Sequence, residues 1–244
     1  MITRQHLGLA LICGLIPASA TVGFNPLLVL VILAGTGIGT ILPDIHMKRP
    51  KTTRLLTLAW CIVQAGRRTC VPVICRLYRI APGVRIRTDD KRLTHSVPGI
   101  VLYFALLAGI AGALVLLSGN RIPLFIVAAF LFGLFTGMLF HLAGDLCTRK
   151  GIAVFFPFSG TEIHGSIRPC DNSDPRIPRF HLQQASVLIG FLVFRSVAPL
   201  PAAAMIPLGL LGTCACLGSM VCQSDIRIEN AGGMGTPAQE GAVV

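Results

Sequence analysis

The sequence predicts an all-α, polytopic membrane protein with about five transmembrane helices, within a range of four to six, plus amphipathic helices at the membrane surface. The 244-residue chain is 53% hydrophobic and only 13% charged, and its mean hydropathy is +0.75. A soluble domain carries about 25% charged residues, so this composition excludes an ordinary soluble domain. Several apolar stretches also approach the roughly 17 to 25 residues that a helix needs to cross a bilayer.

The first two apolar stretches, residues 7–24 and 27–42, predict a helical hairpin. Asn25-Pro26 is a turn sequence between them, and Pro17 predicts a kink in the first helix. The first stretch also has the form of a secretory signal peptide. We favour a retained helix, because His6 at its start has a candidate functional role.

A basic segment, residues 47–92, separates the hairpin from the later spans. It contains more than half of the 21 Lys and Arg side chains, and four arginines interrupt its apolar part, residues 55–80. Arginines at the bilayer centre cost several kcal/mol each, whereas at the interface they can face lipid phosphates. We therefore predict one or two interfacial helices here, with anionic lipids as the partner and no nucleic-acid binding.

The later apolar stretches complete the predicted membrane domain. Residues 97–117 are free of charge, and residues 122–142 carry Gly133 and Gly137 at a spacing that favours close helix packing. A polar loop, residues 144–184, follows. Residues 185–222 are either two short spans or an interfacial helix followed by one span. The sequence thus predicts a single membrane-embedded domain over residues 1–222 and a disordered Gly-rich tail over residues 223–244.

Three polar motifs lie at the ends of these spans. They are Leu42-Pro43-Asp44-Ile45-His46, Arg92-Leu93-Thr94-His95-Ser96 and His141-Leu142-Ala143-Gly144-Asp145. The basic segment 47–92 and the polar loop 144–184, which carries five Lys and Arg side chains, should both be cytoplasmic by the positive-inside rule. The first four spans then begin in turn at the inner, outer, inner and outer face. The three motifs and His6 then lie at the same, cytoplasmic, membrane face.

The residue types in these motifs suggest a metal site. His141 and Asp145 are four residues apart, so they share one helix face. Imidazole and carboxylate together suit zinc, manganese or ferrous iron better than calcium, and the nine cysteines form no CxxC pair that would suggest a zinc–thiolate site. A bound divalent metal ion, zinc or manganese in our interpretation, would activate water for hydrolysis, with Asp44 or Asp145 as the general base. The candidate ligands are His6, Asp44, His46, His95, His141 and Asp145.

The same motifs resemble those of the LexA-regulated, membrane-bound metal-dependent hydrolases, a YdjM-like family of small inner-membrane proteins. The resemblance covers about residues 1–200, and its most specific piece begins at His141 and runs through Gly151 to Pro157-Phe158. It implies a multi-helix membrane protein in which His6, Asp44, His95, His141 and Asp145 are the metal ligands. The chain departs from the family pattern at His46, where an acid is usual, and at Asp90, where a histidine is usual. Asp90 therefore joins the candidate ligands.

These observations lead to a predicted function and two alternatives. The leading prediction is a metal-dependent hydrolase of the inner membrane, which cleaves a phosphoester or an ester at the cytoplasmic face, with a phospholipid headgroup as one candidate substrate. The second is a non-enzymatic ion-binding or transport protein that uses the same His/Asp cluster, although a transporter needs polar groups near the bilayer midplane. The third is a purely structural membrane protein.

Overall fold

The computed structural model describes residues 3–22, 25–44, 57–79, 90–119, 121–168, 174–198 and 200–229. Six helices in this part of the chain are long and apolar enough to cross a membrane. The protein is therefore an all-α polytopic membrane protein, as the composition predicts. The six helices are α1 (Thr3–Val22), α2 (Pro26–Ile41), α4 (Val97–Leu117), α5 (Leu124–Leu146), α6 (Arg176–Val197) and α7 (Ala202–Cys222).

The first hairpin, α1 and α2, forms as predicted. Asn25 caps α2 by accepting a hydrogen bond from the backbone N–H of Leu28, and Pro26 follows at the first helical position. A 3₁₀ turn, Leu42–Asp44, ends the hairpin and holds Asp44 at 9% exposure. The Asp44 carboxylate therefore lies at the end of the hairpin where α1 begins.

The helix α3 (Thr57–Tyr78) is the one long helix of the described chain that does not qualify as a span. Cys70, Val71, Ile74 and Tyr78 are buried in a cluster that includes residues of α4 and α5, whereas Arg68, Arg76 and Arg79 are exposed. This separation of faces is typical of an amphipathic helix at a membrane surface. The predicted interfacial stretch is a single helix that continues through Pro72.

The bounds of α4 match the predicted third span, and Ser96 caps its first turn through the N–H of Gly99. The fourth span is longer than predicted, because α5 continues past Leu142 to Leu146. This extension corrects the predicted start of the polar loop at residue 144. It also keeps His141 and Asp145 one turn apart on the same helix.

The last apolar region forms two helices, each long and apolar enough to cross a membrane, which favours two spans over an interfacial helix followed by one span. Helix α6 begins at Arg176, well inside the predicted polar loop 144–184. Its first turns alternate charged and apolar residues, and Ile177 and Phe180 are buried against Cys147 and Ile167. Burial of this apolar face favours helix over loop, so the loop between α5 and α6 is shorter than the sequence suggests.

The predicted tail is ordered at its start, which corrects its boundary at residue 223. A short strand, β2 (Arg227–Glu229), pairs antiparallel with β1 (Glu162–His164) in the loop after α5. Ser224 O also accepts a hydrogen bond from the N–H of Ser166. These backbone bonds attach the segment after α7 to the polar end of the bundle; residues 230–244 lie outside the described residues.

Four glycines bring α2 and α5 into backbone contact. A Cβ on Gly133 would lie 2.0 Å from Ile32 O, and one on Gly137 would lie 2.1 Å from Thr36 O. On the facing helix, a Cβ on Gly39 would lie 2.0 Å from Leu134 O. The predicted small-residue packing is therefore present, with Gly35 and Gly39 as its counterparts on α2. This contact brings the C-terminal ends of α2 and α5 side by side.

Candidate metal centre

Five of the predicted ligands meet at one end of the helix bundle. His6 comes from the start of α1, Asp44 from the end of α2, His95 from the residues just before α4, and His141 and Asp145 from the end of α5. All three histidines are less than 5% exposed. The four chain segments meet at one end of the bundle, as expected if the first four spans cross the membrane in alternating directions. The charge bias predicts those directions.

Asp145 contacts all three histidines. Its Oδ1 lies 3.1 Å from His6 Nε2, and its Oδ2 lies 3.4 Å from His141 Nε2 and 3.5 Å from His95 Nε2. The rings of His6 and His141 stack with centroids 4.3 Å apart, and those of His95 and His141 meet edge to face. Asp145 therefore links donors from three segments of the chain.

Asp44 contacts the cluster from the opposite helix. Its Oδ1 lies 3.4 Å from His95 Nε2 and 3.8 Å from His141 Nε2, and 4.0 Å from Lys91 Nζ. Two sets of three side chains each could hold a metal ion, namely His6, His141 and Asp145, and Asp44, His95 and His141. His141 belongs to both sets, so the cluster can accommodate one ion or a closely spaced pair.

The donor geometry fits a transition metal. The Nε2 atoms of His6, His95 and His141 are buried and make no directed hydrogen bond, although carboxylate oxygens lie 3.1 to 3.8 Å away. Donors bound at 2.0–2.2 Å to one tetrahedral ion lie about 3.3–3.6 Å from each other. Buried polar atoms without partners are costly, and a shared cation would satisfy these three at once.

The orientation of His95 is fixed by backbone atoms. Its Nδ1 lies 3.2 Å from Lys91 O, and because a carbonyl only accepts, this bond places the proton on Nδ1 and leaves the Nε2 lone pair facing the cluster. Thr94 ties the same turn to the α2 segment by donating to Pro43 O at 2.9 Å. Burial lowers the pKa of His95, against the opposing effect of Asp44, which favours the neutral imidazole.

A cavity of about 360 Å³ opens onto the cluster, with Asp44, His95 and Asp145 in its lining. Three cationic side chains, Lys91, Arg92 and Lys150, line the same cavity, with Glu162 as its remaining acid. The cations outnumber the acids that are not part of the cluster, so this entrance favours an anionic ligand.

Asp90 does not join the cluster, contrary to its prediction as a ligand. Its carboxylate caps the 3₁₀ turn Lys91–Leu93 through the N–H of Arg92 and binds the Arg92 guanidinium, with Nη2 at 2.8 Å from Oδ2. The guanidinium also lies over the Phe156 ring, 4.7 Å from its centroid. Asp90 therefore positions a cation at the cavity. His46, the other departure from the family pattern, lies outside the described residues.

Sequence reasoning did not single out Lys150, which lines the cavity, or Gln184, a side chain of α6 that is only 1% exposed. Lys150 could have been found, because it lies five residues after Asp145, in the turn that follows α5. Nothing in the sequence marks Gln184 as a buried residue, because it lies at the edge of a polar stretch.

The family model of the YdjM inner membrane proteins matches residues 1–221 of the chain. No curated protein and no solved structure matches it.

Proposed function

The chain belongs to the YdjM inner membrane protein family, and we propose that it is a metal-dependent hydrolase that cleaves a phosphoester or an ester at the cytoplasmic face of the inner membrane. The observation that carries this proposal is the buried His/Asp cluster at the floor of a cation-lined cavity. A divalent cation held there would activate water and polarise a phosphoryl or carbonyl oxygen.

The two carboxylates are placed for different tasks. Both oxygens of Asp145 face histidines, which suits a metal ligand. Asp44 faces the histidines through Oδ1, and its Oδ2 has no ion pair among the described residues, while the residue lines the cavity. We therefore assign Asp145 as a ligand and Asp44 as the general base, which accepts a proton from the attacking water.

The cavity walls favour a phosphate group on a membrane-bound substrate. Arg92 and Lys91 offer donors to phosphate oxygens, and Asp90 holds the Arg92 guanidinium in place. Beside the cavity wall at Ala153, the phenyl rings of Phe155 and Phe158 are 58% and 81% exposed. Exposed aromatic rings at this level suit a membrane interface, so a phospholipid headgroup could reach the cavity from the bilayer.

A non-enzymatic role in cation binding or transport is the alternative. The cluster lies at one end of the spans, whereas substrate sites of transporters are near the bilayer midplane. Along α4 no side chain carries a charge, so this helix offers no polar path from the cluster to the opposite face. Both observations favour the hydrolase.

The test is turnover by the purified full-length protein in detergent with Zn²⁺ or Mn²⁺. The substrates are bis(p-nitrophenyl) phosphate, p-nitrophenyl butyrate and phosphatidylglycerol in mixed micelles. We expect metal-dependent cleavage of a phosphate ester and a loss of at least about 100-fold in Asp44→Asn and Asp145→Asn. Asp145→Asn should also lose metal affinity, whereas Asp44→Asn should mainly lose turnover.

The matched controls are His164→Ala and Asp174→Asn. Their side chains pair with Glu229 and Arg176, away from the cluster, so both variants should keep wild-type turnover. Cation flux into proteoliposomes in the absence of any turnover would favour the transport alternative. Turnover that survives in Asp145→Asn would contradict the assigned site.

A further inference from the structure

We propose that Gln184 is a positioning residue for His6, and that it acts through one water molecule held in a small cavity between α1, α5, α6 and α7. The inference rests on the metal centre of the proposed function. It concerns how the chain orients one ligand, and the evidence is that His6 and Gln184 line the same cavity and that each has a buried polar atom without a hydrogen-bond partner among the described residues.

Gln184 is an unusual residue for its position in α6. It is 1% exposed, and its Nε2 donates to Met220 Sδ at 2.8 Å. Its Oε1 is buried without a hydrogen-bond partner. A thioether is a weak acceptor, so this hydrogen bond compensates only in part for the water that the amide loses on burial. A buried amide in this state calls for a partner that the described part of the chain does not supply.

His6 is the matching residue on α1. Its Nε2 lies 3.1 Å from Asp145 Oδ1, so this nitrogen belongs to the metal centre. The other ring nitrogen, Nδ1, is buried and has no hydrogen-bond partner. A histidine that ligates a metal through Nε2 needs a proton on Nδ1 and an acceptor for that proton. His95 satisfies this need with Lys91 O, whereas nothing in the described chain does so for His6.

His6 and Gln184 line the same cavity. Its free volume, about 10 Å³ for the centre of a water molecule, is close to what one water requires. The other lining residues are mostly apolar and include Leu9, Phe140 and Leu217. One water can accept from His6 Nδ1–H and donate to Gln184 Oε1, which satisfies both buried atoms. The proton then stays on Nδ1, and the Nε2 lone pair faces Asp145 and the cation.

The experiment compares variants of neighbouring glutamines in the full-length protein. Gln184→Met keeps the side-chain volume and removes the acceptor oxygen, Gln184→Glu keeps an acceptor, and Gln183→Leu changes an exposed residue one position away. Zn²⁺ affinity is measured by competition with a chromophoric chelator. We expect Gln184→Met to weaken the affinity by about 10- to 100-fold, Gln184→Glu to restore most of it, and Gln183→Leu to match the wild type.

A second measurement does not depend on metal. The ¹⁵N spectrum of histidine-labelled, metal-free protein reports which nitrogen of His6 carries the proton, with His6→Gln used to assign the signals. We expect the Nδ1–H form in the wild type and a shift toward the Nε2–H form, donating to Asp145, in Gln184→Met. A purely structural role for Gln184 would leave this tautomer unchanged.

The outcomes separate the inference from the proposed function. A wild-type protein that binds no Zn²⁺ contradicts the metal centre, while the tautomer measurement still tests Gln184. A wild type that binds Zn²⁺, with equal affinity and an unchanged tautomer in Gln184→Met, overturns only the inference. The effect of Gln184→Met on Zn²⁺ affinity should also vanish in a His6→Ala background; an equal loss in both backgrounds would contradict an action through His6.

Discussion

Replacing Gly137 by alanine tests whether the close contact between α2 and α5 sets the geometry of the proposed metal centre. The added Cβ would lie 2.1 Å from Thr36 O and 2.8 Å from Thr40 N, whereas tight Cβ contacts begin at 3.0–3.4 Å. Both neighbours are backbone atoms and cannot rotate away, so the helices must separate by about 1 Å.

The separation would act on the proposed metal centre because the two helices hold different parts of the His/Asp cluster. His141 is one turn beyond Gly137 on α5. The turn that holds His95 is bonded to the end of α2, because Thr94 donates to Pro43 O, so a shift of α2 moves His95 away from His141. Metal sites tolerate deviations of about 0.2 Å in ligand distances. We expect Gly137→Ala to weaken Zn²⁺ binding by at least about tenfold. Overpacking should also lower the free energy of unfolding by about 1–3 kcal/mol.

The assay is Zn²⁺ affinity together with the thermal midpoint of the purified protein, and Gly112→Ala is the control. A Cβ on Gly112, in α4, would meet nothing within 4 Å. This variant should keep the wild-type affinity and lose no stability, because alanine favours helix over glycine. If Gly137→Ala binds Zn²⁺ as tightly as the wild type, or if Gly112→Ala weakens binding equally, the reasoning is refuted.

Three further predictions concern the surroundings of the cluster. Asp90→Asn should leave the Zn²⁺ stoichiometry unchanged and raise KM for an anionic substrate, because it releases Arg92; a lost metal ion would show that Asp90 is a ligand after all. In a cysteine-free background, a cysteine at residue 120 should react with an impermeant thiol reagent on intact cells, and one at residue 90 only after permeabilisation; the reverse pattern would move the cluster to the other face. Arg176 lowers the pKa of Asp174 to about 2, below its usual 3.8, so this carboxylate stabilises the fold above pH 3.8 and loses the effect as the pH falls toward 2. Asp174→Asn should therefore lower the thermal midpoint at pH 7 by a small amount that shrinks at acidic pH, and a pH-independent difference would contradict this linkage.

The composition and the positions of charge predict the spans and the convergence of the cluster. Long apolar stretches can satisfy their backbone only as helices in lipid, so the bounds of α4 follow almost directly from the sequence. The side of each polar motif follows from counting spans and cations. His6, His95 and Asp145 could be grouped in this way without any knowledge of their contacts.

Other features depend on tertiary contacts that leave no periodic signal. Helix α6 begins among charged residues, and its start is set by the burial of Ile177 and Phe180 against the loop after α5. The strand β2 forms because β1 pairs with it, and Ser166 bonds to Ser224 just before it, each across more than 50 residues. From the sequence alone, Asp90 could replace the family's histidine as a metal ligand. In the structure its carboxylate instead binds the neighbouring Arg92 guanidinium. The start of α6, the strand β2 and the contacts of Asp90 therefore depend on packing and pairing rather than on composition.

The most direct test of the central claim is the metal content of the full-length protein. Protein purified without chelators, exposed to Zn²⁺ or Mn²⁺ and freed of unbound ions, should retain about one or two ions per chain. His141→Ala and Asp145→Ala should lose them, because these two side chains connect the donors of the cluster, while His164→Ala should keep them. A metal-free wild type, or the same metal content and thermal midpoint in all three variants, would contradict a metal centre at this site.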